Sequence, residues 1–190
     1  MHRYIKLGTN LIDTYNVFLL IALIIVSLIL EKQIDNLRFD KRKTTLFRLF
    51  MPIAVVVGLF GASLFEIISQ NKSIALENFD SGLTFYGGLI TALILVIFYG
   101  LIFKIPILFL LNFYSKPLVL GHAIGRIGCF FAGCCYGKPT SFITGVKFPI
   151  DSLPYLQYGA CKIHPTQLYE SIFLFLLFIS MTKIKSTYHL

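Results

Sequence analysis

The residues best suited to chemistry lie between His122 and Thr140, in the run H-A-I-G-R-I-G-C-F-F-A-G-C-C-Y-G-K-P-T. This run follows a long apolar segment, where a charge is costly and usually functional. Arg126 offers a planar fork of N–H donors that matches two oxygens of a phosphate or a carboxylate. Gly125 and Gly128 flank it and let the backbone approach a ligand closely. The run therefore predicts a binding site for an anionic group, and a phospholipid headgroup is its natural ligand.

Arg126 and the glycines also admit a structural interpretation. Arg126 could pair with Glu66 or Glu170, or extend to the membrane interface, because intramembrane charges also pair with one another. The glycines repeat at a spacing that often reflects only close helix packing. They are Gly121 and Gly125, then Gly133 and Gly137.

Two histidines and a carboxylate are further candidates. His122 precedes Arg126 by four residues, so both side chains can share one helical face. A histidine satisfied by backbone or water is the alternative for His122. His164 could serve as a base or simply cap the helix that follows Pro165. Glu170 is as well suited to pair with Arg126 as to take part in catalysis.

The chain has four cysteines: Cys129, Cys134, Cys135 and Cys161. On an oxidising outer face, a disulfide from Cys134 or Cys135 to Cys161 would hold a loop over the site. Their spacing matches no standard zinc pattern, so we expect neither a metal nor a cofactor. Packing as small hydrophobic residues beside the glycines is the third interpretation.

The composition indicates a membrane protein. The 190 residues are 56% hydrophobic and 14% charged, which is more apolar surface than a soluble domain of this size can bury. The net charge of +8 is divided among short segments between apolar runs, which argues against nucleic acid as a partner. We therefore predict an all-α polytopic transmembrane helix bundle of about five spans, forming one membrane domain over residues 1–190.

Five apolar segments are candidates to cross a hydrocarbon layer of about 30 Å. The predicted spans are 11–30, 49–68, 85–103, 105–132 and 166–184. The fourth contains Pro117 and several glycines, so we expect a bent or interrupted helix there. No small-residue cleavage site follows the first apolar run, so we expect that run to be retained as a span.

The basic residues predict an orientation. They outnumber the acidic residues between Glu31 and Arg48, and Lys183 and Lys185 follow the last span. The positive-inside rule places both segments in the cytoplasm. The N-terminus and a small extracytoplasmic loop region, approximately residues 136–165, are then outside.

Three motifs resemble those of the bacterial prolipoprotein diacylglyceryl transferase family. G-R-I-G-C-F-F-A-G-C-C-Y-G is similar to the family signature G-R-x-G-N-F-x-N-x-E-x-x-G. H-P-T-Q-L-Y-E is similar to H-P-S-Q-L-Y-E, and F-Y-G-G-L-I to F-H-G-G-L-I. The motifs are in the family's order, and together with the compatible spans the resemblance covers most of the chain from Tyr15 to Lys185.

The resemblance implies an activity in lipoprotein maturation. It implies transfer of a diacylglyceryl group from phosphatidylglycerol to the lipobox cysteine thiol of a prolipoprotein signal peptide, with release of glycerol phosphate. It also implies an outward-facing site in the bacterial cytoplasmic (inner) membrane and no metal.

The resemblance also assigns roles to residues. Arg126 matches the headgroup-binding arginine, Gly137 the last glycine of the signature, and Tyr15 an essential tyrosine near the first span. We expect a catalytic group and a substrate-binding group at this site. The catalytic group is Arg126, Tyr86, Tyr15, His164 and Glu170. The substrate-binding group is Arg126, Gly125, Gly128, Cys129, Gly137 and His122.

The chain departs from the family pattern at several positions. Tyr86 replaces the family's histidine, and a phenol is a poor general base at neutral pH. Cys129 and Cys134 replace an asparagine and a glutamate, and Ser63 an arginine. The sequence ends at Leu190, before the family's final helix. Two alternatives follow: a catalytically altered, phospholipid-binding accessory protein, and a thiol-redox membrane protein.

Overall fold

The computed structural model describes residues 4–7, 10–37, 39–71 and 84–184. Its helices are α1 (Thr14–Asn36), α2 (Lys41–Ser69), α3 (Phe85–Phe103), α4 (Ile107–Ala132), α5 (Leu153–Tyr158) and α6 (Thr166–Lys183). Its strands form two short antiparallel pairs, β1 (Tyr4–Leu7) with β2 (Asn10–Asp13) and β3 (Val146–Lys147) with β4 (Lys162–Ile163). The predicted all-α class is therefore confirmed.

Four helices among the described residues, α1 to α4, are long and apolar enough by length and composition to cross a membrane. This confirms the prediction of a polytopic membrane protein. The fifth predicted span forms the 18-residue helix α6. It is not among those four, because Gln167 and Glu170 in its first turns and Lys183 at its end make it more polar.

The helix ends differ from some predicted span ends. The first span was expected from residue 11, but residues 10–13 form β2 and α1 begins at Thr14. α2 begins at Lys41, before the expected residue 49. The Asp40 carboxylate accepts a 2.8 Å hydrogen bond from the backbone N–H of Lys43, which is the interaction of a helix N-cap. The third span, 85–103, matches α3 at both ends.

The fourth span was expected to be bent or interrupted. α4 is one continuous helix from Ile107 to Ala132, so it is not interrupted, and a bend stays a prediction. A proline inside a helix removes one backbone hydrogen bond, and a glycine costs about 1 kcal/mol relative to alanine. Packing offsets these costs here. Pro117 is fully buried, and Gly121 and Gly128 lie against side chains of α1.

The chain divides into two compact units. Unit 1 contains the described residues up to Leu30 and from Ser115 onward, and unit 2 contains those from Glu31 to Tyr114. The expectation of a single membrane domain stays a prediction.

Unit 2 has an aromatic core. Phe47 is 1% exposed, and its ring packs against Phe113 at a centroid distance of 5.1 Å. The Tyr99 hydroxyl, in α3, donates a 2.6 Å hydrogen bond to the backbone oxygen of Leu46 in α2. α2 and α3 also meet through small residues, since a Cβ on Gly87 would lie 2.5 Å from the Cβ of Phe65. Small residues permit this close approach of membrane helices.

Unit 1 buries apolar residues of α1, α4, α6 and the loop before α6. Ala123 and Ile163 are fully buried, and Phe148 is 6% exposed. The Phe18 ring of α1 stacks on the Phe131 ring of α4 at 5.3 Å. This packing holds the C-terminal half of α4, which carries Arg126, beside α1.

Candidate active site

One face of α4 carries the candidate residues of the signature. His122, Gly125, Arg126 and Cys129 lie at positions i, i+3, i+4 and i+7 of a helix, so their side chains share that face. A Cβ built on Gly125 would have no atom within 4 Å. The helix face beside Arg126 therefore borders open space in the structure.

Gly128 and Gly121 have a different environment. A Cβ on Gly128 would lie 2.9 Å from the Cβ of Phe18 and 3.4 Å from Cδ2 of Tyr15. A Cβ on Gly121 would lie 2.9 Å from a methyl group of Val26. Both glycines therefore allow α4 to pack closely on α1, which for Gly121 agrees with the packing interpretation of the sequence. A substrate contact for Gly128 stays a prediction.

Arg126 forms an ion pair with Glu170 of α6. Nη2 of Arg126 lies 2.9 Å from Oε1 of Glu170, and the two side chains are 19% and 39% exposed. Nε of Arg126 is fully buried and has no hydrogen-bond partner among the described residues. Leaving such a donor without a partner costs about 1–3 kcal/mol, so the site favours a polar group or water near the guanidinium.

His122 joins this ion pair. Its Nε2 lies 3.5 Å from the same Oε1 atom of Glu170, and its side chain is 21% exposed. The structure thus confirms that His122 and Arg126 share a face and brings both to one carboxylate. An imidazole held by a carboxylate has a fixed orientation, which is the arrangement of many catalytic histidines.

Polar contacts fix the first turns of α6 against unit 1. Gln167 is fully buried, and its Nε2 donates a 2.5 Å hydrogen bond to the backbone oxygen of Cys134. The Thr166 hydroxyl donates to the backbone oxygen of Cys135 at 2.8 Å. The Ser171 hydroxyl donates to the backbone oxygen of Ala123, in α4, at 2.9 Å. These bonds position Glu170 opposite Arg126.

Three cysteines lie together where α4 ends. The sulfur atoms of Cys129, Cys134 and Cys135 are all within 4.8 Å of one another. All four cysteines of the chain are free thiols, and Cys161 instead donates through Sγ to the backbone oxygen of Tyr158 at 3.3 Å. Neither expected disulfide to Cys161 is therefore formed in the structure.

The surroundings of Cys135 favour its thiolate. Its φ of 56° lies in the left-handed region, which is uncommon for a residue other than glycine. The pKa of the Cys135 thiol is lowered, first by hydrogen bonds with Cys129 and Cys134 and then by the nearby positive charge of Arg126, although desolvation opposes these effects. Arg126 therefore interacts with both Glu170 and the cysteine cluster.

His164 and Gly137 are joined by the loop before α6. The Gly137 N–H donates to the backbone oxygen of His164 at 3.0 Å, and a Cβ on Gly137 would lie 3.0 Å from that of His164. Nδ1 of His164 lies 3.1 Å from the Tyr169 hydroxyl, which also hydrogen-bonds with Thr144. Gly137 thus has a packing role here, and the predicted roles of both residues in substrate binding and catalysis stay predictions.

Tyr15 and Tyr86 belong to different units. The Tyr15 backbone N–H donates to the Asp13 carboxylate at 2.8 Å, and the side chain interacts electrostatically with Arg126 and the cysteines. Tyr86 lies in unit 2 near the start of α3, where its side chain is 70% exposed. Its ring packs edge-on against that of Phe85, with a centroid distance of 5.8 Å. Catalysis by either tyrosine stays a prediction.

Sequence reasoning missed Gln167 and Ser171 as positioning residues. Gln167 was visible in the H-P-T-Q-L-Y-E motif as a polar residue next to a long apolar run. Its bond to the Cys134 carbonyl depends on the loop between α4 and α6, which no local pattern specifies. Ser171 gives no sequence signal, since a serine in a membrane helix usually bonds to its own backbone.

Comparison with known proteins identifies the family. The family model for prolipoprotein diacylglyceryl transferase matches residues 3–189. A phosphatidylglycerol–prolipoprotein diacylglyceryl transferase of Clostridium tetani is 37% identical over 130 residues, covering 66% of this chain and 51% of that protein. The second such enzyme of Clostridium perfringens is 34% identical over 131 residues, covering 66% of this chain and 50% of that protein.

A relative from Parasynechococcus marenigrum with the same enzyme name is 31% identical over 168 residues, covering 85% of this chain and 60% of that protein. The chain spans about half the length of the first two relatives. The family match extends over nearly the whole chain and includes α4, the cysteine cluster and α6. This chain therefore belongs to the prolipoprotein diacylglyceryl transferase family.

Proposed function

We propose that this chain transfers a diacylglyceryl group from phosphatidylglycerol to the lipobox cysteine thiol of an exported prolipoprotein. The reaction takes place at the outer face of the bacterial cytoplasmic membrane. The lipid and the signal peptide of the prolipoprotein are its substrates, and both reach the site from the bilayer. Membership of the family supports this reaction, and the surroundings of Arg126 support the position of the site.

The observation that carries the proposal is the position of Arg126. Its guanidinium is partly buried, pairs with Glu170 at 2.9 Å and lies on the same helix face as Gly125, which borders open space. A permanent positive charge beside an open, glycine-lined face suits a phosphate group. A charged side chain inside a membrane segment costs free energy, and the binding of an anionic ligand to Arg126 would offset that cost.

The reaction forms one bond and breaks another at the same carbon. The thiolate of the lipobox cysteine attacks the glyceryl carbon that is bonded to the phosphate oxygen, and a carbon–sulfur bond forms. The carbon–oxygen bond breaks, and glycerol phosphate leaves with the bonding electrons. Arg126 stabilises the phosphate as its negative charge increases. The protein's own cysteines are not nucleophiles in this scheme.

His122 is the base that the geometry favours. The incoming thiol must lose a proton, and a neutral imidazole can accept it near neutral pH. His122 lies 3.5 Å from Glu170, so the carboxylate can orient the ring and stabilise the imidazolium. His164 is engaged with Tyr169, and Tyr86 is a phenol. We therefore assign His122 this role in place of those two.

Purified chain in phosphatidylglycerol vesicles, given a lipobox peptide, tests the proposal. The expected product is the thioether-linked diacylglyceryl peptide, detected by mass spectrometry. Substituting Arg126→Ala should lower the rate by at least about 100-fold, since a transition-state charge loses its stabilisation. Arg48→Ala is the matched control. Arg48 pairs with Glu31 at 2.9 Å on the exposed surface of unit 2, so its loss should leave the rate unchanged.

A phospholipid-binding protein without transferase activity is the second candidate. The tyrosine at position 86, where the family has a histidine, favours it. This candidate predicts that the chain binds phosphatidylglycerol vesicles in an Arg126-dependent manner but yields no thioether product. Failure to rescue a strain depleted of its own transferase, with the chain expressed and inserted, would point the same way.

A further inference from the structure

The cysteine cluster is defined as Cys129, Cys134 and Cys135, and none of its thiols is a nucleophile in the proposed reaction. One member lies in the last turn of α4 and two lie in the loop that follows it. Four residues separate Cys129 from Cys134, and the backbone N–H of Cys134 donates to the backbone oxygen of Cys129 at 3.2 Å. The turn that ends α4 thus places the three sulfurs within 4.8 Å of one another.

This geometry is close to that of a thiolate metal site. Zinc binds thiolate sulfur at about 2.3 Å, so neighbouring ligand sulfurs lie about 3.8 Å apart in a tetrahedral site. Three sulfurs already within 4.8 Å require movements of less than about 1 Å to reach it. A disulfide would join only two of these sulfurs and would not account for the position of the third beside them.

Local backbone and charge also suit such a site. Cys135 adopts a left-handed conformation, with φ of 56°, and Gly133 another, with φ of 71°. A left-handed residue other than glycine costs about 1–2 kcal/mol, which a metal–sulfur bond can offset. The charge of Arg126 lies beside the cluster. A divalent ion neutralises two of three thiolate charges. The remaining negative charge interacts with the guanidinium of Arg126, which also pairs with Glu170.

We propose that Cys129, Cys134 and Cys135 bind one thiophilic divalent metal ion, Zn²⁺. Soft thiolate ligands select zinc over magnesium or calcium. The three protein ligands leave the fourth coordination position to water or another small ligand. This site takes the place of the sequence-based expectation of no metal, and it does not depend on transferase activity.

The site would act as a clamp between α4 and α6. Cys134 and Cys135 accept hydrogen bonds through their backbone oxygens from Gln167 and Thr166 at the start of α6. A metal that joins these cysteines to Cys129 therefore fixes the loop on which α6 is anchored. Metal binding should raise the thermal stability of the chain by this linkage.

Zinc binding can be measured on the purified full chain in detergent after reduction and removal of metal with a chelator. We expect one Zn²⁺ per chain by elemental analysis and, with Cd²⁺ as a spectroscopic probe, a thiolate charge-transfer absorption at one equivalent. The melting temperature should rise on addition of Zn²⁺. Cys129→Ser, Cys134→Ser and Cys135→Ser should each abolish the absorption and the rise.

Cys161→Ser is the matched control, because Cys161 is outside the cluster and should leave metal binding intact. Alkylation of the wild-type chain gives a readout that needs no variant. Zn²⁺ should protect the three cluster cysteines from maleimide but not Cys161. The proposal is overturned if the reduced wild-type chain binds no metal, or if two cysteines of the cluster form a disulfide that the reductant does not break. It is also overturned if Cys161→Ser loses metal binding as fully as Cys129→Ser.

Discussion

Gly125 and Gly128 differ in what surrounds them, although both flank Arg126 in the signature. Gly125 borders open space, whereas Gly128 lies against Phe18 and Tyr15 of α1. Both residues are in α4 and need no special backbone angle. Their substitution by alanine therefore tests side-chain space alone, and it separates a ligand-binding glycine from a packing glycine.

Gly125→Ala should fold normally and bind phosphatidylglycerol more weakly. Alanine favours a helix over glycine by about 1 kcal/mol, so the free energy of unfolding should not fall. The added methyl group enters the space beside Arg126, and we expect about a tenfold loss of lipid affinity in nanodiscs. Gly128→Ala should instead lower the free energy of unfolding by about 1–3 kcal/mol through overpacking. Unchanged lipid affinity in Gly125→Ala would place the headgroup elsewhere.

Glu170→Gln should lower kcat far more than it changes KM. The amide keeps the size of the side chain and one acceptor for Arg126, but it no longer stabilises a charged His122. We expect a loss of about 100-fold or more in kcat. His122→Gln should show a similar loss, and the double variant should be little worse than either single variant. A rise in KM with normal kcat would mean that Glu170 serves lipid binding instead.

At the scale of elements, the start of α6 is held by the loop that follows α4. The carbonyls of Cys134 and Cys135 accept hydrogen bonds from Gln167 and Thr166, and Ser171 bonds directly to α4. Glu170 is placed between these contacts. The geometry around Arg126 and Glu170 thus depends on bonds between the two helices and their connecting loop, beyond the ion pair itself.

Gln167→Leu should lower the free energy of unfolding by about 1–3 kcal/mol, because the part-buried carbonyl of Cys134 loses its donor. Thermal unfolding in detergent measures this change. Gln70→Leu is the matched control: Gln70 is exposed and bonds to Glu66 at 2.5 Å, so its loss should stay within about 0.5 kcal/mol. Equal melting temperatures for the two variants would show that the Gln167 bond is not a stabilising anchor.

At the scale of the whole molecule, the basic residues determine the predicted orientation. Arg48 and Lys43 lie in the segment that the positive-inside rule assigns to the cytoplasm, and the loop of residues 136–165 is assigned to the opposite side. Lys185 and residues 72–83, between α2 and α3, lie outside the described residues. The orientation is therefore open to direct measurement.

Single cysteines introduced into a chain with all four native cysteines changed to serine should report this orientation. Asp151→Cys, in the loop between α4 and α6, should react with a membrane-impermeant maleimide in intact cells. Thr45→Cys, near the start of α2, should react only after the membrane is permeabilised. Membrane insertion of both variants is verified by fractionation. The reverse pattern of labelling would place the Arg126 site on the cytoplasmic side.

The sequence alone was sufficient for the class of protein, and it singled out Arg126 as the centre of the proposed site. Long apolar runs require helices in a membrane, because no water satisfies backbone groups there. This reasoning located α3 at both ends and the approximate positions of the other spans. An arginine among glycines beside such a run stood out on the same grounds, and the three motifs indicated the family that the comparisons then identified.

Only the tertiary structure decided which residues meet Arg126. Its pairing with Glu170 depends on how α6 returns to α4, and the sequence separation of 44 positions, from 126 to 170, hides that contact from any local pattern. Packing also decided the continuity of α4. From the sequence, Gly128 and Pro117 predicted a break in this helix. In the structure Gly128 packs against α1 and Pro117 is buried, and this packing offsets their cost to the helix. Contacts between distant segments depend on the fold as a whole, whereas span and charge depend on the residues themselves.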